Sequence, residues 1–154
     1  MFVGQGPEED EDQQGRPFVG KAGQLLDKMI LAMGLRREDV YIATVIKCRP
    51  PENRSPEPDE IAQCTPFILR QIASIQPEVI VALGKVASQI LLQTEVGITQ
   101  LRGQFRTYPA DGTTQVMPTF HPSYLLKNSE AKREVWSDLQ QVSKILGITI
   151  PNRK

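Results

Sequence analysis

One histidine, two cysteines and a 6 % share of aromatic residues are all that this 154-residue chain has of those types. Two cysteines in a chain with no secretion signal argue against a disulfide. The start lacks a basic region followed by an apolar one, so no signal peptide is read there. No apolar run approaches the roughly 18 residues that a membrane span needs. Internal repeats and low-complexity segments are also missing, which sets aside solenoids and disordered tails. Formal net charge is zero, so the whole-chain balance does not announce a nucleic-acid binder. These absences leave a globular cytoplasmic protein, 40 % apolar, long enough for one domain with a usable core.

The charges that are present are unevenly spread. Glu8 to Asp12 is a run of five acids, whereas Arg49, Arg54, Arg102, Arg106, Lys127, Lys132 and Arg133 lie in or near other loops. A local basic strip of that kind can hold phosphates, and ordinary solvated surface charge is the plain alternative.

Periodicity predicts alternating strands and helices. Met1, Phe2 and Val3 read as the end of a buried strand whose beginning is missing, so an N-terminal element is expected to be lacking. Residues 21–33 carry Leu25, Leu26, Met29, Ile30 and Met33 at helical spacing, with Gly34 as a stop. Residues 40–46 and 79–83 are β-branched and apolar, as buried parallel strands should be. A Pro-rich loop, 48–58, leads to a helix over 57–75, and Gly84 opens another that ends near Leu92. Strands over 101–108 and 114–120, joined by an Asp111–Gly112 turn, precede an amphipathic helix over 130–146. The pattern predicts a single three-layer α/β/α domain around a mainly parallel, four-stranded sheet.

Two loop segments each begin where an apolar run stops. They are Gly4-Gln5-Gly6-Pro7 and His121-Pro122-Ser123-Tyr124-Leu125-Leu126. In an open α/β sheet the carboxyl ends of parallel strands share one edge, and ligands bind in the crevice there. Between the two lie Glu11-Asp12, then Gly15-Arg16-Pro17-Phe18-Val19-Gly20-Lys21-Ala22-Gly23-Gln24-Leu25-Leu26, then Lys47-Cys48-Arg49-Pro50-Pro51-Glu52-Asn53-Arg54. This ordered set resembles the uracil-DNA glycosylase superfamily, and within it the iron–sulfur branch, family 4. The resemblance spans nearly the whole chain and implies the same α/β/α fold.

It also implies a chemistry. Removing a base from DNA requires flipping the nucleotide into a pocket that stabilises the departing base and positions a water. By resemblance, His121 donates to the uracil oxygen that gains negative charge, and the backbone around Gly6 and Pro7 adds a donor. A strand-end histidine satisfied by backbone is the alternative for His121 taken alone. Phe18 would stack on the flipped base. Arg49, Asn53, Arg54, Ser123, Leu125, Leu126 and Lys127 would meet DNA, one leucine as an apolar wedge and Lys127 on a phosphate in place of a usual Arg. For Leu125 a place in the core is an equal reading.

Two departures from the family pattern bear on activity. Gln5 stands where the family has Glu, and an amide can hold the attacking water but has no useful basicity. Glu11 matches the family's second acidic position and is the best remaining carboxylate, while Glu8 replaces a usual Gly. Thr44 stands where the family has Asn against the Watson–Crick edge, so a hydroxyl replaces an amide that makes paired contacts. A strand threonine chosen for β-propensity is the plain alternative.

Cys48 and Cys64 have fifteen residues between them, as do the family's last two cluster ligands. A [4Fe–4S] cluster takes four thiolates, and the family's first two lie upstream of its first motif. Three readings stay open: a truncated chain whose full-length parent binds a cluster, which is favoured, a cluster-free variant, or two core thiols. The expected function is excision of uracil, or of a related deaminated base such as hypoxanthine or xanthine, from DNA by a monomer off the membrane. The alternative is a DNA- or damaged-base-binding module that has lost catalysis. Polymerisation is excluded, since the chain lacks room for a palm domain and no acidic pair stands out as a metal site.

Overall fold

The structure is a computed structural model that describes residues 1–6, 20–46 and 57–151. Pro7, Glu11, Phe18, Cys48, Arg49, Asn53 and Arg54, together with the acidic run and most of the Pro-rich segment, lie outside the described residues.

Five strands form one sheet in the order β2-β1-β3-β5-β4. They are β1 (Phe2–Gly4), β2 (Ile42–Thr44), β3 (Val79–Leu83), β4 (Arg106–Thr107) and β5 (Gln115–Thr119). The first three and β5 run parallel, and β4 pairs antiparallel with β5 at the edge. The expected mainly parallel sheet is therefore present, with five strands rather than four. Every residue of β3 is buried, as its central position between two parallel neighbours requires. Along β3, Val79, Val81 and Leu83 enter one apolar cluster while Ile80 and Ala82 enter another. That alternation divides the core into two halves, one on each face of the sheet.

Helices α1 (Lys21–Ala32), α5 (Pro122–Lys127) and α6 (Lys132–Leu146) contribute Leu26, Ile30, Leu125, Val135, Leu139 and Val142 to the first half. Helices α2 (Pro58–Ile75) and α3 (Lys85–Leu92) contribute Ile68, Ile72, Ala87 and Leu91 to the second. The α2 start follows from sequence: Pro58 occupies its first turn, and Glu57 and Glu60 form a reciprocal capping box. Among the described residues no helix is long and apolar enough to cross a membrane.

The strand expected over 101–108 is a correction. A one-turn helix, α4 (Ile98–Leu101), ends there with Leu101 buried in the core, and only Arg106 and Thr107 pair as a strand. Gly103, at φ +84°, breaks any continuous strand between them. Residues 40–46 shorten to Ile42–Thr44, although the amides of Val45 and Ile46 still donate to the carbonyls of Gly4 and Gln5. The closing helix is preceded by a 3₁₀ turn, Ser129–Ala131. The Asp111 turn is as expected: its carboxylate accepts from the amides of Thr113 and Thr114 and from the Thr114 hydroxyl.

Candidate active site at the carboxyl edge of the sheet

The chain leaves β1 toward β2 on one side and leaves β3 toward β5 on the other, so the order reverses between β1 and β3. The carboxyl edge at such a reversal is where an open α/β sheet forms its crevice. Gln5 and Gly6 follow β1, Thr44 ends β2, Gly84 follows β3, and His121 follows β5 by one residue. The fold thus brings four of the candidates, Gln5, Gly6, Thr44 and His121, to one edge. A cavity of about 500 Å³ lies elsewhere, lined by Ile72, Gln76, Tyr108, Asp111 and Thr114. It sits where β3 and β5 begin, away from the His121 edge.

His121 caps the N-terminus of α5, with Pro122 at the first helical position, where its missing N–H costs nothing. The Ser123 amide donates to His121 Nδ1 at 3.0 Å. A nitrogen that accepts carries no proton, so the neutral ring bears its proton on Nε2. The imidazole is thereby fixed as an Nε2–H donor. Gly84 makes room for it: at φ +90°, a Cβ here would lie 3.0 Å from the His121 Cβ. The Gly84 amide also donates to the Thr119 carbonyl at 2.8 Å, tying the end of β3 to the chain entering the His121 turn.

On the other arm, Gly6 passes close to β2's continuation, where an added Cβ would lie 3.1 Å from the Ile46 Cβ. The Gln5 carbonyl accepts from Ile46 N–H at 2.8 Å. Thr44 is 7 % exposed, and its hydroxyl donates to the Ile46 carbonyl at 2.8 Å. Its proton is thereby directed to backbone.

The leucine pair divides. Leu125 is 1 % exposed and belongs to the core, so its expected place against DNA is corrected; Leu126 is 50 % exposed. The helical repeat turns one inward and its neighbour outward. Lys127, Lys132 and Arg133 are exposed around the junction of α5 and α6, and Ser123 is half-buried beside them in sequence. Arg102 does not belong to an open basic strip. Its Nη2 and Nε donate to Asp138 at 2.6 and 3.1 Å, and its guanidinium lies 5.8 Å from the Phe120 ring centre. Burial pushes the Asp138 carboxyl above its ordinary range, and hydrogen bonds from Thr119 and Arg102 pull it back. Gly84, Asp138 and Tyr124, which stacks on Phe120 at 4.7 Å, are the residues that sequence reasoning missed.

Cys64 is a half-buried free thiol on α2. Among the described residues no three His, Cys, Asp or Glu side chains are grouped so as to hold a metal ion. The two cysteines of this sequence are half of a four-thiolate set. Two thiolates do not fit a complete cluster.

Comparison with known proteins gives the family. The family model described as "Uracil DNA glycosylase superfamily" matches residues 1–140. A type-4 uracil-DNA glycosylase of Thermotoga maritima is 50 % identical over 151 residues, covering 95 % of this chain and 77 % of that protein. A type-4 uracil-DNA glycosylase of Archaeoglobus fulgidus is 40 % identical, covering 96 % and 76 %. A third, of Saccharolobus solfataricus, is 42 % identical, covering 99 % and 74 %. With a carboxyl edge built around His121 and a match over most of its length, the chain belongs to the uracil-DNA glycosylase superfamily.

Proposed function

We propose that this chain is a DNA-repair glycosylase that hydrolyses the N-glycosidic bond of uracil, or of a related deaminated base, after flipping the nucleotide out of the helix. One observation carries the reading: a sole histidine, at the edge where ligands bind, locked by the Ser123 amide as an Nε2–H donor. In the reaction the bond between the sugar and the base nitrogen breaks, and its electron pair leaves with the base. Charge then gathers on a carbonyl oxygen of uracil. A preorganised donor there stabilises the departing anion without having to give up its proton. The backbone around Gly6 and Pro7 adds a second donor, and Phe18 supplies the stacking face.

The sugar cation is captured by water, which loses a proton as the new bond forms. Gln5 holds that water through its amide, and Glu11 is the carboxylate available to accept the proton. Leu126 fills the gap left by the base, and Lys127 meets a phosphate, with Ser123, Arg49, Asn53 and Arg54 along the same strand. Thr44 faces the base edge as an acceptor, since its own proton goes to Ile46. The protein works as a monomer and a single domain in the cytoplasm. Cys48 and Cys64 would supply two of the four thiolates that a [4Fe–4S] cluster takes.

A second reading has one specific support: Gln5 lacks the basicity of the family's carboxylate, as a DNA-binding module without catalysis would. Incubation with an end-labelled oligonucleotide holding one uracil, followed by alkali, separates the two. Cleavage by the wild type that His121→Ala abolishes supports the glycosylase. Tight binding without cleavage, restored by Gln5→Glu, supports the dormant module.

A further inference from the structure

Behind the His121 turn lies a buried ionic cluster that the chemistry above does not use. Asp138 falls on the stripe of α6 that also carries Val135, Leu139 and Val142, and its side chain is 1 % exposed. A carboxylate taken out of water is costly unless donors meet its oxygens. Here they do. Oδ1 accepts from Arg102 Nη2 at 2.6 Å; Oδ2 accepts from Arg102 Nε at 3.1 Å and from the Thr119 hydroxyl at 2.6 Å. Gly103 lets the backbone pass close by, since a Cβ there would lie 3.2 Å from Oδ1.

Each partner of that carboxylate leads toward the imidazole. Thr119 is two residues before His121 and is held at both ends, by Asp138 on its hydroxyl and by Gly84 on its carbonyl. Arg102 lies over Phe120, the residue just before His121, and Phe120 stacks on Tyr124 at 28° between planes. Buried ion pairs are weak devices for stability, because apolar side chains of similar volume often serve as well. What three directed hydrogen bonds add is position.

We propose that Asp138 is a positioning residue for His121, tying the end of β5 to α6 and, through Arg102, fixing the aromatic pair beside the imidazole. Its effect on rate rests on the glycosylase reading; its effect on the ring does not. Because the chain has a single histidine, a long-range ¹H–¹⁵N spectrum shows one imidazole and reports its tautomer directly. The experiment compares the wild-type chain with Asp138→Asn and Thr119→Val, each first checked for cooperative thermal unfolding. In both variants the two ring nitrogens shift toward each other as the Nε2–H form loses its hold. Single-turnover uracil excision falls about tenfold or more, as loss of alignment predicts. Affinity for DNA with an abasic-site analogue changes less than about twofold, since the DNA-facing groups are intact.

Variants with wild-type ring shifts and wild-type excision, even at a lower melting temperature, would overturn the proposal and leave a merely structural pair. If Asp138→Asn fails to fold, Thr119→Val, which removes one hydroxyl at nearly constant volume, decides alone. If the wild type excises nothing, the glycosylase reading falls. The ring shifts then still decide the proposal: moved in the variants, it stands; unmoved, it falls.

Discussion

The two arms of the carboxyl edge are built differently. His121 is held from several directions: by the Ser123 amide on Nδ1, by Gly84 at its Cβ, and by Asp138 acting on Thr119 and on Arg102 over Phe120. The β1–β2 arm is held by backbone pairing, with the carbonyls of Gly4 and Gln5 meeting the amides of Val45 and Ile46. Backbone pairing fixes a path without dictating side chains. The segment His121-Pro122-Ser123-Tyr124-Leu125-Leu126 of the first arm matches the family pattern, with Lys127 in place of a usual Arg just beyond it, and the two departures that bear on activity, Gln5 and Thr44, lie on the second. The first arm is thus set by directed side-chain contacts and the second mainly by main chain, although the Thr44 hydroxyl also donates to the Ile46 carbonyl.

The largest effect is expected at Gly84. Gly84→Ala places a methyl group against the His121 Cβ and forces a non-glycine residue to φ near +90°. Stability should fall by about 1–3 kcal/mol, and uracil excision by about a hundredfold through displacement of the ring. Thermal melts and single-turnover kinetics measure the two losses separately. Excision near wild type would show that the ring tolerates displacement.

On the other arm substitution should sharpen function. Gln5→Glu restores a base beside the water and should raise excision by about tenfold at neutral pH, with a new dependence on pH as the carboxylate titrates. A flat pH profile would mean that the side chain does not reach the water. Thr44→Asn replaces a hydroxyl, whose proton goes to the Ile46 carbonyl, with an amide able to make paired contacts. It should raise discrimination of uracil over cytosine by about tenfold or more, read as a ratio of excision rates.

The smallest effect is expected at the opposite edge of the sheet. Hydrogen bonds from Thr114 and Thr113 hold the Asp111 carboxyl below its ordinary range. Its contribution to the turn is therefore present above the ordinary carboxylate value and lost as pH falls through the lowered one. A carboxyl ¹³C titration should show a midpoint below about 3.9, the unperturbed value, with excision unaffected by Asp111→Asn at neutral pH.

Much of this was legible in the residues. β3 announced itself as an unbroken apolar run, α1 and α6 by their stripes, and the His121 segment by its place after β5. Leu125 was ambiguous because a pair of adjacent leucines does not say which faces inward; packing decided it. The 101–108 stretch reads as a strand from its apolar residues, while the break comes at Gly103, whose φ is +84° and whose amide donates to the distant Pro118 carbonyl. Asp138 itself left a signal, a carboxylate among Val135, Leu139 and Val142 on an apolar stripe, yet its partners come from 19 and 36 residues away. Gly84 could be read as a helix start, but its clearance of His121 is a tertiary fact.

Single-turnover excision of uracil by the wild type, His121→Ala and Gln5→Ala, measured side by side, weighs the two arms directly. If the His121 arm carries the catalysis, His121→Ala should lose about a hundredfold or more, as removal of one preorganised donor does. Gln5→Ala should then lose clearly less, about tenfold at most, because its amide positions the water but supplies no base to lose. Equal losses in the two variants, or a larger one in Gln5→Ala, would contradict it.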